Sequence, residues 1–465
     1  MTNKNHQTSL ASNLSIPELR AAFKGQVIAP GDDMYDEART VFYGGIDRRP
    51  AVIIRVVNAD EVARVISLAR ESGLELAIRS GGHSTSGHSV SEGGIVLDLS
   101  NMRDLQIDVE GRTAWAETGL TAGELTSAVG EHGLAVGFGD TGSVGIGGIT
   151  LGGGVGYLVR KLGLTIDSLL AAEVVTADGQ LLHVDADHHP DLFWAIRGGG
   201  GNFGVATRFQ FRLHELGSVV GGMLILPATA DVIAGFIAAA EAAPEELSTI
   251  ANVMTAPPMP MLPEEVYGKP VVMSMLVFAG EASDAERVLA PFRALAKPLA
   301  DMVNPMTYPE IYAGEEGGYH PVAAGRTMFV DSIDSSIAET ILSYLRSSTG
   351  SMAVAQLRVL GGAMARVPAD ATAFAHRASR IMVNVAALYE NPDDKPTHEA
   401  WVTEFANALR QTDAGAYVNF LGPEGEASVR AAYPGNTWDR LAEIKARYDP
   451  DNVFRLNQNI SPVKA

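Results

Sequence analysis

The 465-residue sequence contains no cysteine. This absence excludes disulfide bonds, thiolate metal sites, iron–sulfur clusters and cysteine nucleophiles together. Any redox chemistry must therefore come from a bound organic cofactor. The Gly-x-Ser-x-Gly turn of many serine hydrolases is also absent. His183, His188 and His189 occur among aspartates, but they lack helical spacing or a fixed frame, so we predict no metal site.

Long apolar runs and an excess of positive charge are missing as well. No apolar run approaches the roughly 20 residues that span a bilayer, and Met1 to Ser15 lack the apolar core of a secretory signal. The formal net charge of −20 disfavours nucleic acid and anionic membrane surfaces as partners. We therefore expect a cytoplasmic protein that binds neither a membrane nor a nucleic acid.

Glycine, by contrast, is abundant, with 49 residues that occur partly in clusters. The first cluster follows a predicted strand at 74–78, where two successive glycines let backbone amides approach an anion closely. Arg79 and Ser80 add hydrogen-bond donors, and His83 lies where a side chain would face a bound ligand. A solvated turn with an incidental histidine explains the same residues. The cluster comprises Arg79, Ser80, Gly81, Gly82, His83 and Ser84.

The second cluster runs from Gly139 to Gly156 and has seven glycines in the twelve positions 145–156. Each glycine in a helix or strand costs about 0.5–1 kcal/mol relative to alanine, so we expect an irregular loop whose amides wrap a pyrophosphate. Interleaved apolar residues argue against a flexible linker. Gly137, Gly139 and Gly142 also match the Gly-x-Gly-x-x-Gly dinucleotide motif. More glycine follows them instead of a helix, so a nicotinamide-dependent enzyme is the weaker alternative.

Two further motifs complete the set. Residues 192–204 pass from an aromatic run into four glycines, which suits either a cofactor wall or a tight turn. Residues 417–420 and 449–459 carry several asparagines. Their amide groups would bond the edge of a heterocycle or lie at a surface.

The predicted elements divide the chain into three stretches. Up to about residue 217, strands and helices alternate as in one α+β domain. From 218 to 416, Ala-rich helices alternate with strands. From 417 the sequence again resembles the stretch before residue 217, with a predicted strand at 417–421.

In this order, the four motifs resemble those of the berberine bridge enzyme-like flavoproteins, which have the vanillyl-alcohol oxidase type of FAD-binding fold. The resemblance covers nearly the whole chain. It implies a two-domain α+β fold of the PCMH type. Residues 1–217 and 418–465 would form the FAD-binding domain. Residues 218–417 would form a substrate-binding domain, an antiparallel sheet covered by helices.

The resemblance implies FAD as the cofactor, attached covalently through His83, which matches the family's histidine bonded to the flavin 8α-methyl group. Thr141 stands where many members have a cysteine that makes a second link. A single attachment is therefore implied, as in the bacterial hydroxynicotine oxidase branch. The implied cofactor-binding residues are Arg79, Ser80, Gly81, Gly82, His83, Ser84, Thr141, Gly142, Val144, Gly147, Gly148, Val205, Tyr417, Asn419, Asn457 and Asn459.

Val144 matches the family's oxygen gate, where valine goes with oxidases and leucine with dehydrogenases. The resemblance thus implies an oxidase that takes a hydride from a C–N or C–O bond of a small molecule. O₂ would be the final acceptor and H₂O₂ the product. A dehydrogenase with another acceptor is the alternative within the same fold. The expected partners are the small-molecule substrate and O₂, and the chain is expected to be a monomer or a homodimer.

One position departs from the family pattern. Many members have Tyr-x-Asn-Tyr, whose second tyrosine deprotonates a substrate hydroxyl. This chain has Phe420 there, and phenylalanine accepts no proton. Either Tyr417 or a residue of the middle stretch acts as the base, or the substrate is a neutral amine, or the protein binds flavin without catalysis.

The candidate catalytic residues are Tyr417, Gln356 and Arg358. Gln356 and Arg358 are two apart on a predicted strand, so they share one face and are candidates to meet the substrate. Ordinary polar positions on a strand explain these two residues equally well.

Overall fold

The computed structural model describes residues 14–312, 318–412 and 415–463. Residues 1–13 of the FAD-binding domain predicted at 1–217 therefore lie outside the described residues. Within the described ranges, no helix has both the length and the apolar character needed to cross a bilayer.

The chain begins with a small mixed sheet and the helices around it. Its elements are α1 (Ile16–Ala22), β1 (Gln26–Ile28), α2 (Tyr35–Arg39), β2 (Val52–Arg55), α3 (Ala59–Ser72), β3 (Leu76–Arg79) and β4 (Ile95–Asp98). The strand order is β1-β2-β4-β3, with β2 and β3 parallel to β4 and β1 antiparallel to β2. Strand β3 ends at Arg79, so the first glycine cluster leaves the carboxyl end of a strand.

A second sheet follows. The next elements are β5 (Leu105–Asp108), β6 (Thr113–Glu117), α4 (Ala122–Gly130), β7 (Leu134–Ala135), α5 (Ile146–Leu151), α6 (Val159–Leu162), β8 (Leu169–Val175), β9 (Leu181–Asp185), α7 (Pro190–Ile196), β10 (Val205–Arg212) and β11 (His214–Glu215). Five strands form an antiparallel sheet in the order β5-β6-β10-β8-β9, and β11 pairs with β7.

Helix α5 lies inside the second glycine cluster, where the sequence predicted an irregular loop without a helix. That expectation is wrong over these six residues. Ile146 and Thr150 are buried in this helix. Burial of apolar surface offsets the intrinsic cost of glycine in a helix, so packing decides the conformation here.

The middle of the chain is one large sheet. Its elements are β12 (Val219–Pro227), α8 (Ala230–Ala242), β13 (Leu247–Thr255), β14 (Pro270–Phe278), α9 (Ala285–Arg293), β15 (Ala300–Asp301), β16 (Asn304–Met306), β17 (Ala323–Val330), α10 (Ser335–Ser347), β18 (Met352–Val359), α11 (Ala363–Arg366), β19 (Ile381–Leu388) and α12 (Lys395–Leu409). The antiparallel order is β15-β12-β14-β13-β18-β19-β17, and β16 also pairs with β12. Helices α8, α9, α10 and α12 pack their apolar sides on one face. The predicted α+β fold, with a helix-covered antiparallel sheet, is confirmed.

The last stretch returns to the first part of the chain. Its helices are α13 (Glu426–Ala431) and α14 (Thr437–Tyr448), and Val418, Leu441 and Ile460 pack in the same core as β6, β10 and α7. The predicted strand at 417–421 is wrong, because Val418–Phe420 form a 3₁₀ turn closed by the Phe420 N–H on the Tyr417 carbonyl (3.0 Å). The domain boundaries at 217 and 418 stay a prediction.

Candidate active site

A cavity of about 560 Å³ lies between the glycine-rich loops and the face of the large sheet opposite helices α8, α9, α10 and α12. The predicted cofactor residues that line it are Ser80, Gly81, Gly82, His83, Ser84, Thr141, Val144, Gly147, Gly148, Val205, Tyr417, Asn419 and Asn457. Gln356 and Arg358 line it from the sheet. Of the described residues predicted as ligands, Arg79, Gly142 and Asn459 lie outside this lining. The fold thus gathers motifs from distant parts of the chain around one space.

Two glycine loops meet backbone to backbone at the edge of the cavity. A Cβ atom at Gly81 would lie 2.1 Å from the Gly145 nitrogen, and one at Gly145 would lie 2.2 Å from the Gly81 nitrogen. The Ser80 hydroxyl fastens this contact, because it donates to the Thr118 carbonyl (2.6 Å) and accepts from the Gly147 N–H (3.2 Å). Glycine is required at both positions for the loops to touch.

Arg79 stabilises the backbone next to the first loop. Its guanidinium donates to the main-chain carbonyls of Ser89 (3.2 Å), Arg39 (3.4 Å) and Ala38. Burial lowers the pKa of this guanidinium. In place of the predicted donation to a cofactor, the structure shows Arg79 bonded to main-chain carbonyls.

His83 faces the cavity and lies parallel to an aromatic ring that sequence reasoning did not single out. The imidazole and the Phe42 ring have centroids 4.2 Å apart and planes inclined by 18°. Phe42 belongs to no recognised motif, so no sequence pattern pointed to it. Thr141 and Val144 line the same cavity.

A second histidine, His88, also lines the cavity and is half-buried. Burial, followed by the positive charge of Arg48, lowers the pKa of His88 to about 4. The Arg48 guanidinium is fixed nearby, because it donates to the carbonyls of Gly87 (2.7 Å) and Val90 (2.9 Å). His88 is therefore neutral at physiological pH.

We expect His88 to make stability fall as the solution is acidified. Its pKa in the folded chain lies below the unfolded value of roughly 6.5, so below that pH the unfolded chain binds a proton that the folded chain excludes. The loss accumulates down to about pH 4 and amounts to roughly 3 kcal/mol. Urea midpoints at pH 7.5 and 4.5 measure it. His88→Gln should lose less stability over this range than the wild type, and equal losses would contradict the assignment.

Tyr417 is held by two donors to its phenol oxygen. The Gly154 N–H and the Asn419 side-chain amide both donate to it at 3.0 Å, and the same amide donates to the Ile149 carbonyl (3.1 Å). Burial raises the pKa of Tyr417 and outweighs these donors, which lower it. The hydroxyl therefore keeps its proton at neutral pH, and Tyr417 is a hydrogen-bond donor and not a ready base.

Arg358 is a buried cation, with 3% of its side chain exposed. Its guanidinium pairs with Asp140 (2.5 Å) and donates to the Val155 carbonyl (3.2 Å) and to the Gln356 side chain (2.6 Å). It lies 5.1 Å from the centroid of the Phe420 ring. Arg358 and Asp140 thus form a bonded ion pair in the wall of the cavity.

Sequence reasoning missed several other lining residues. Asn384 projects from β19 between two buried valines, Val383 and Val385, and a polar residue within an apolar strand is the one signal that could have indicated it. Arg326 donates to Glu399 (2.7 Å), so these two charges also form a pair. The missed lining residues include Phe42, Tyr43, His88, Asp140, Arg326, Asn384 and Glu399.

The C-terminal motif is fixed by a fully buried ion pair. Lys445 and Asp449 are both 0% exposed, with Nζ and Oδ2 2.6 Å apart. Asp449 also accepts from the backbone N–H groups of Val453 (2.7 Å) and Phe454 (2.9 Å), and Lys445 donates to the Asn202 carbonyl (2.7 Å). These contacts join the end of α14 to the glycine-rich motif at residues 192–204 and orient the residues that follow α14.

The lining fits FAD on observations of this chain alone. The Asn457 amide oxygen is buried without a hydrogen-bond partner among the described residues, while its nitrogen donates to the Gly201 carbonyl (3.2 Å). Gly148 and Gly201 have open space where a Cβ atom would stand, and both line the cavity. An unpaired buried acceptor and accessible glycine backbone suit a ligand with a polar heterocycle and phosphate groups.

His183, Asp185 and His188 lie together at the end of β9, with one ligand atom of each within 4.8 Å of the others. The Asp185 carboxylate lies 3.0 Å from a nitrogen of each imidazole and accepts from the backbone N–H of Asp187 (2.8 Å). The expectation that this stretch lacks a fixed frame is wrong. The absence of a metal stays a prediction.

Comparisons with known proteins agree with this geometry. Residues 50–185 match the FAD binding domain family, and residues 416–461 match the berberine and berberine-like family. An FAD-linked oxidoreductase of Bacillus subtilis (strain 168) is 32% identical over 94% of this chain and 98% of its own. (R)-6-hydroxynicotine oxidase of Paenarthrobacter nicotinovorans is 29% identical over 97% of this chain and 99% of its own.

Structural comparison gives the same family. The crystal structure of 6-hydroxy-D-nicotine oxidase from Arthrobacter nicotinovorans matches with a TM-score of 0.85 and 28% identity, over 95% of this chain and 98% of that chain. The matches support FAD over the nicotinamide alternative. This chain belongs to the berberine bridge enzyme-like family of FAD-linked oxidoreductases.

Proposed function

We propose that this FAD-dependent oxidoreductase is an oxidase that takes a hydride from a C–N or C–O bond of a small molecule and uses O₂ as the final acceptor. When bound, FAD supplies the two-electron acceptor and the site of reaction with O₂. The observation that carries the proposal is the placement of Val144, the residue that matches the family's oxygen gate, in the cavity lining. (R)-6-hydroxynicotine oxidase, which is similar to this chain over 99% of its own length, supports assignment to the oxidases.

The proposal includes a single covalent attachment of FAD through His83. The imidazole faces the cavity, and an imidazole nitrogen can form a stable bond to carbon. Thr141, which also lines the cavity, has no thiol for a second bond. Ser80, Gly145 and Gly148 would hold the remainder of the cofactor through the backbone of the two glycine loops.

The candidate catalytic residues and Phe420 offer hydrogen-bond donors but no ready base. Tyr417 keeps its proton, Phe420 accepts none, and the Arg358 guanidinium is a cation. An alcohol needs a base to take its hydroxyl proton as the hydride leaves. A neutral amine needs none, because its nitrogen lone pair already stabilises the developing cation. The site therefore favours a C–N bond.

Two ion pairs in the lining support a neutral substrate. Arg358 is paired with Asp140, and Arg326 with Glu399. A pair of opposite charges attracts a charged ligand much less than one isolated charge does. The amide of Asn384 offers both a donor and an acceptor from the sheet.

We expect small amines in their uncharged forms to bleach the flavin under anaerobic conditions. If no amine or alcohol in a screening panel bleached the flavin, the result would favour flavin binding without catalysis.

The test of the oxidase assignment needs no substrate. Dithionite-reduced enzyme is mixed with O₂, and reoxidation is followed by flavin absorbance. We expect fast reoxidation in the wild type and at least about tenfold slower reoxidation in Val144→Leu, because the larger side chain fills the space beside the flavin.

Val144→Ala is the matched control for this test, since it removes volume and should keep reoxidation fast. Slow reoxidation of the wild type would assign the enzyme to the dehydrogenases. Equal rates in Val144→Leu and Val144→Ala would remove Val144 from the oxygen path.

A further inference from the structure

We propose that Asp140 holds the substrate nitrogen, so that the enzyme selects amines that carry an N–H group over amines that carry none. This inference rests on the proposed oxidation of a C–N bond. Asp140 lines the cavity, and 25% of its side chain is accessible. One of its carboxylate oxygens, Oδ2, accepts from the Arg358 guanidinium at 2.5 Å. The other, Oδ1, has no hydrogen-bond partner among the residues that the structure describes.

Arg358 fixes the position of this carboxylate from strand β18. The same guanidinium donates to the Val155 carbonyl (3.2 Å) and to the Gln356 side-chain oxygen (2.6 Å), so three acceptors hold it in one orientation. The Gln356 side-chain nitrogen donates in turn to the side chain of Asn252 on β13 (3.0 Å). Asp140 is therefore held on one side, which leaves Oδ1 available for a ligand in the cavity.

The polar side chains near Asp140 in the lining are donors. Burial, followed by the charge of Asp140, raises the pKa of Tyr43 to about 12, so this phenol keeps its proton. Arg358 is a cation without an acceptor atom. Glu399, the other carboxylate among the described lining residues, belongs to α12, which covers the opposite face of the sheet. A substrate N–H near the Gln356–Arg358 face thus finds its charged acceptor at Asp140.

Oxidation of the amine would strengthen this contact. The C–H bond next to nitrogen breaks, and its electron pair leaves with the hydrogen as a hydride transferred to FAD. The nitrogen lone pair forms a second bond to the same carbon, so the nitrogen becomes positively charged and its N–H stays intact. A hydrogen bond between ionised groups is roughly twice as strong as one between neutral groups. Asp140 would therefore stabilise the transition state more than the bound substrate.

Two amines that differ by one N-methyl group test this role. N-methylbenzylamine has an N–H group and N,N-dimethylbenzylamine has none; if another amine of the panel bleaches the flavin faster, its secondary and tertiary forms replace them. The holoenzyme is mixed anaerobically with each, and flavin absorbance gives the limiting rate of bleaching. We expect the wild type to react at least about tenfold faster with the secondary amine, and Asp140→Asn to lose most of this ratio.

The reason for choosing asparagine is its shape. In Asp140→Asn the amide oxygen stays with the guanidinium, which has only donors, and the NH₂ group is left for the cavity in place of an acceptor. Because the two side chains have nearly the same size, a ratio caused only by the bulk of the extra methyl group would persist in the variant. The ratio therefore separates a hydrogen bond from steric fit.

The outcomes distinguish this inference from the proposed function. If no amine bleaches the wild-type flavin, oxidation of a C–N bond is refuted, and the role of Asp140 with it. Equal rates for the two amines in the wild type, or an unchanged ratio in Asp140→Asn, would overturn the role of Asp140 alone. Bound FAD reports folding of the variant. If Asp140→Asn holds none, Asp140→Glu, which keeps a carboxylate, decides: a ratio near that of the wild type supports the inference, and a ratio near one overturns it.

Discussion

Replacing His83 with alanine moves all of the flavin colour from the acid-precipitated chain to the supernatant. Acid unfolds the protein and breaks noncovalent contacts, so only a covalent bond keeps the colour in the wild-type pellet. Alanine has no ring nitrogen to form that bond. The glycine loops remain, so the variant should still bind FAD noncovalently. The absorbance of pellet and supernatant gives the fraction of flavin that is covalently bound. Mass spectrometry of the peptide containing position 83 gives the site of attachment.

Thr141→Ala is the matched control for this experiment. If attachment is single, the variant keeps all of its colour in the pellet, because Thr141 makes no bond to the flavin. Colour in the pellet of His83→Ala would mean that another residue carries the flavin. A wild-type supernatant as yellow as that of the variant would refute covalent attachment altogether.

Removing the Asp167 side chain should destabilise the protein by about 3–5 kcal/mol. Asp167 makes two bonds to the Arg377 guanidinium, at 2.7 and 2.8 Å, and Arg377 is 2% exposed. Arg377 also donates to the Thr372 hydroxyl (2.9 Å). In Asp167→Ala the guanidinium stays buried without its anion, and the cost of dehydrating an unpaired charge falls on the folded state. Urea midpoints at equal flavin content measure the loss.

Two controls test the physical reason for this loss. Adding Arg377→Leu to Asp167→Ala should recover much of the stability, because the uncompensated charge is removed along with its partner. Asp284→Ala breaks the exposed pair with Arg287, whose side chains are 49% and 72% accessible, and should change the stability by less than about 1 kcal/mol. A double variant no more stable than Asp167→Ala would contradict the explanation.

Helix boundaries were predictable where a residue caps its own helix. Asn58 accepts from the Glu61 N–H at the start of α3, and Gly73 ends that helix with φ of +68°. Thr121 and Glu124 form the capping box of α4. The signal for each of these contacts lies within a few residues, so short-range sequence contains it. A glycine such as Gly133 would predict a helix end at that position, but helix α4 ends three residues earlier, at Gly130.

The cavity itself could be predicted only in part. The glycine clusters and His83 were visible because their composition is unusual. The Arg358–Asp140 pair joins residues 218 positions apart, and the Phe42–His83 stack joins a loop to a distant turn, so neither leaves a local pattern. The same reason explains the wrong strand at 417–421: tertiary contacts, such as that of Asn419 with Ile149, override the local preference.

The buried Lys445–Asp449 pair has a consequence for how the enzyme is made. The Asn202 carbonyl accepts a hydrogen bond from Lys445 Nζ. The Asn202 side-chain oxygen accepts a hydrogen bond from the Ile460 N–H (2.9 Å), which lies 258 positions further along the chain. These contacts join residues 243 and 258 positions apart, so the wall of the cavity at Asn202 forms only when two distant parts of the chain have folded together. We therefore expect the chain to bind FAD only after both parts are in place.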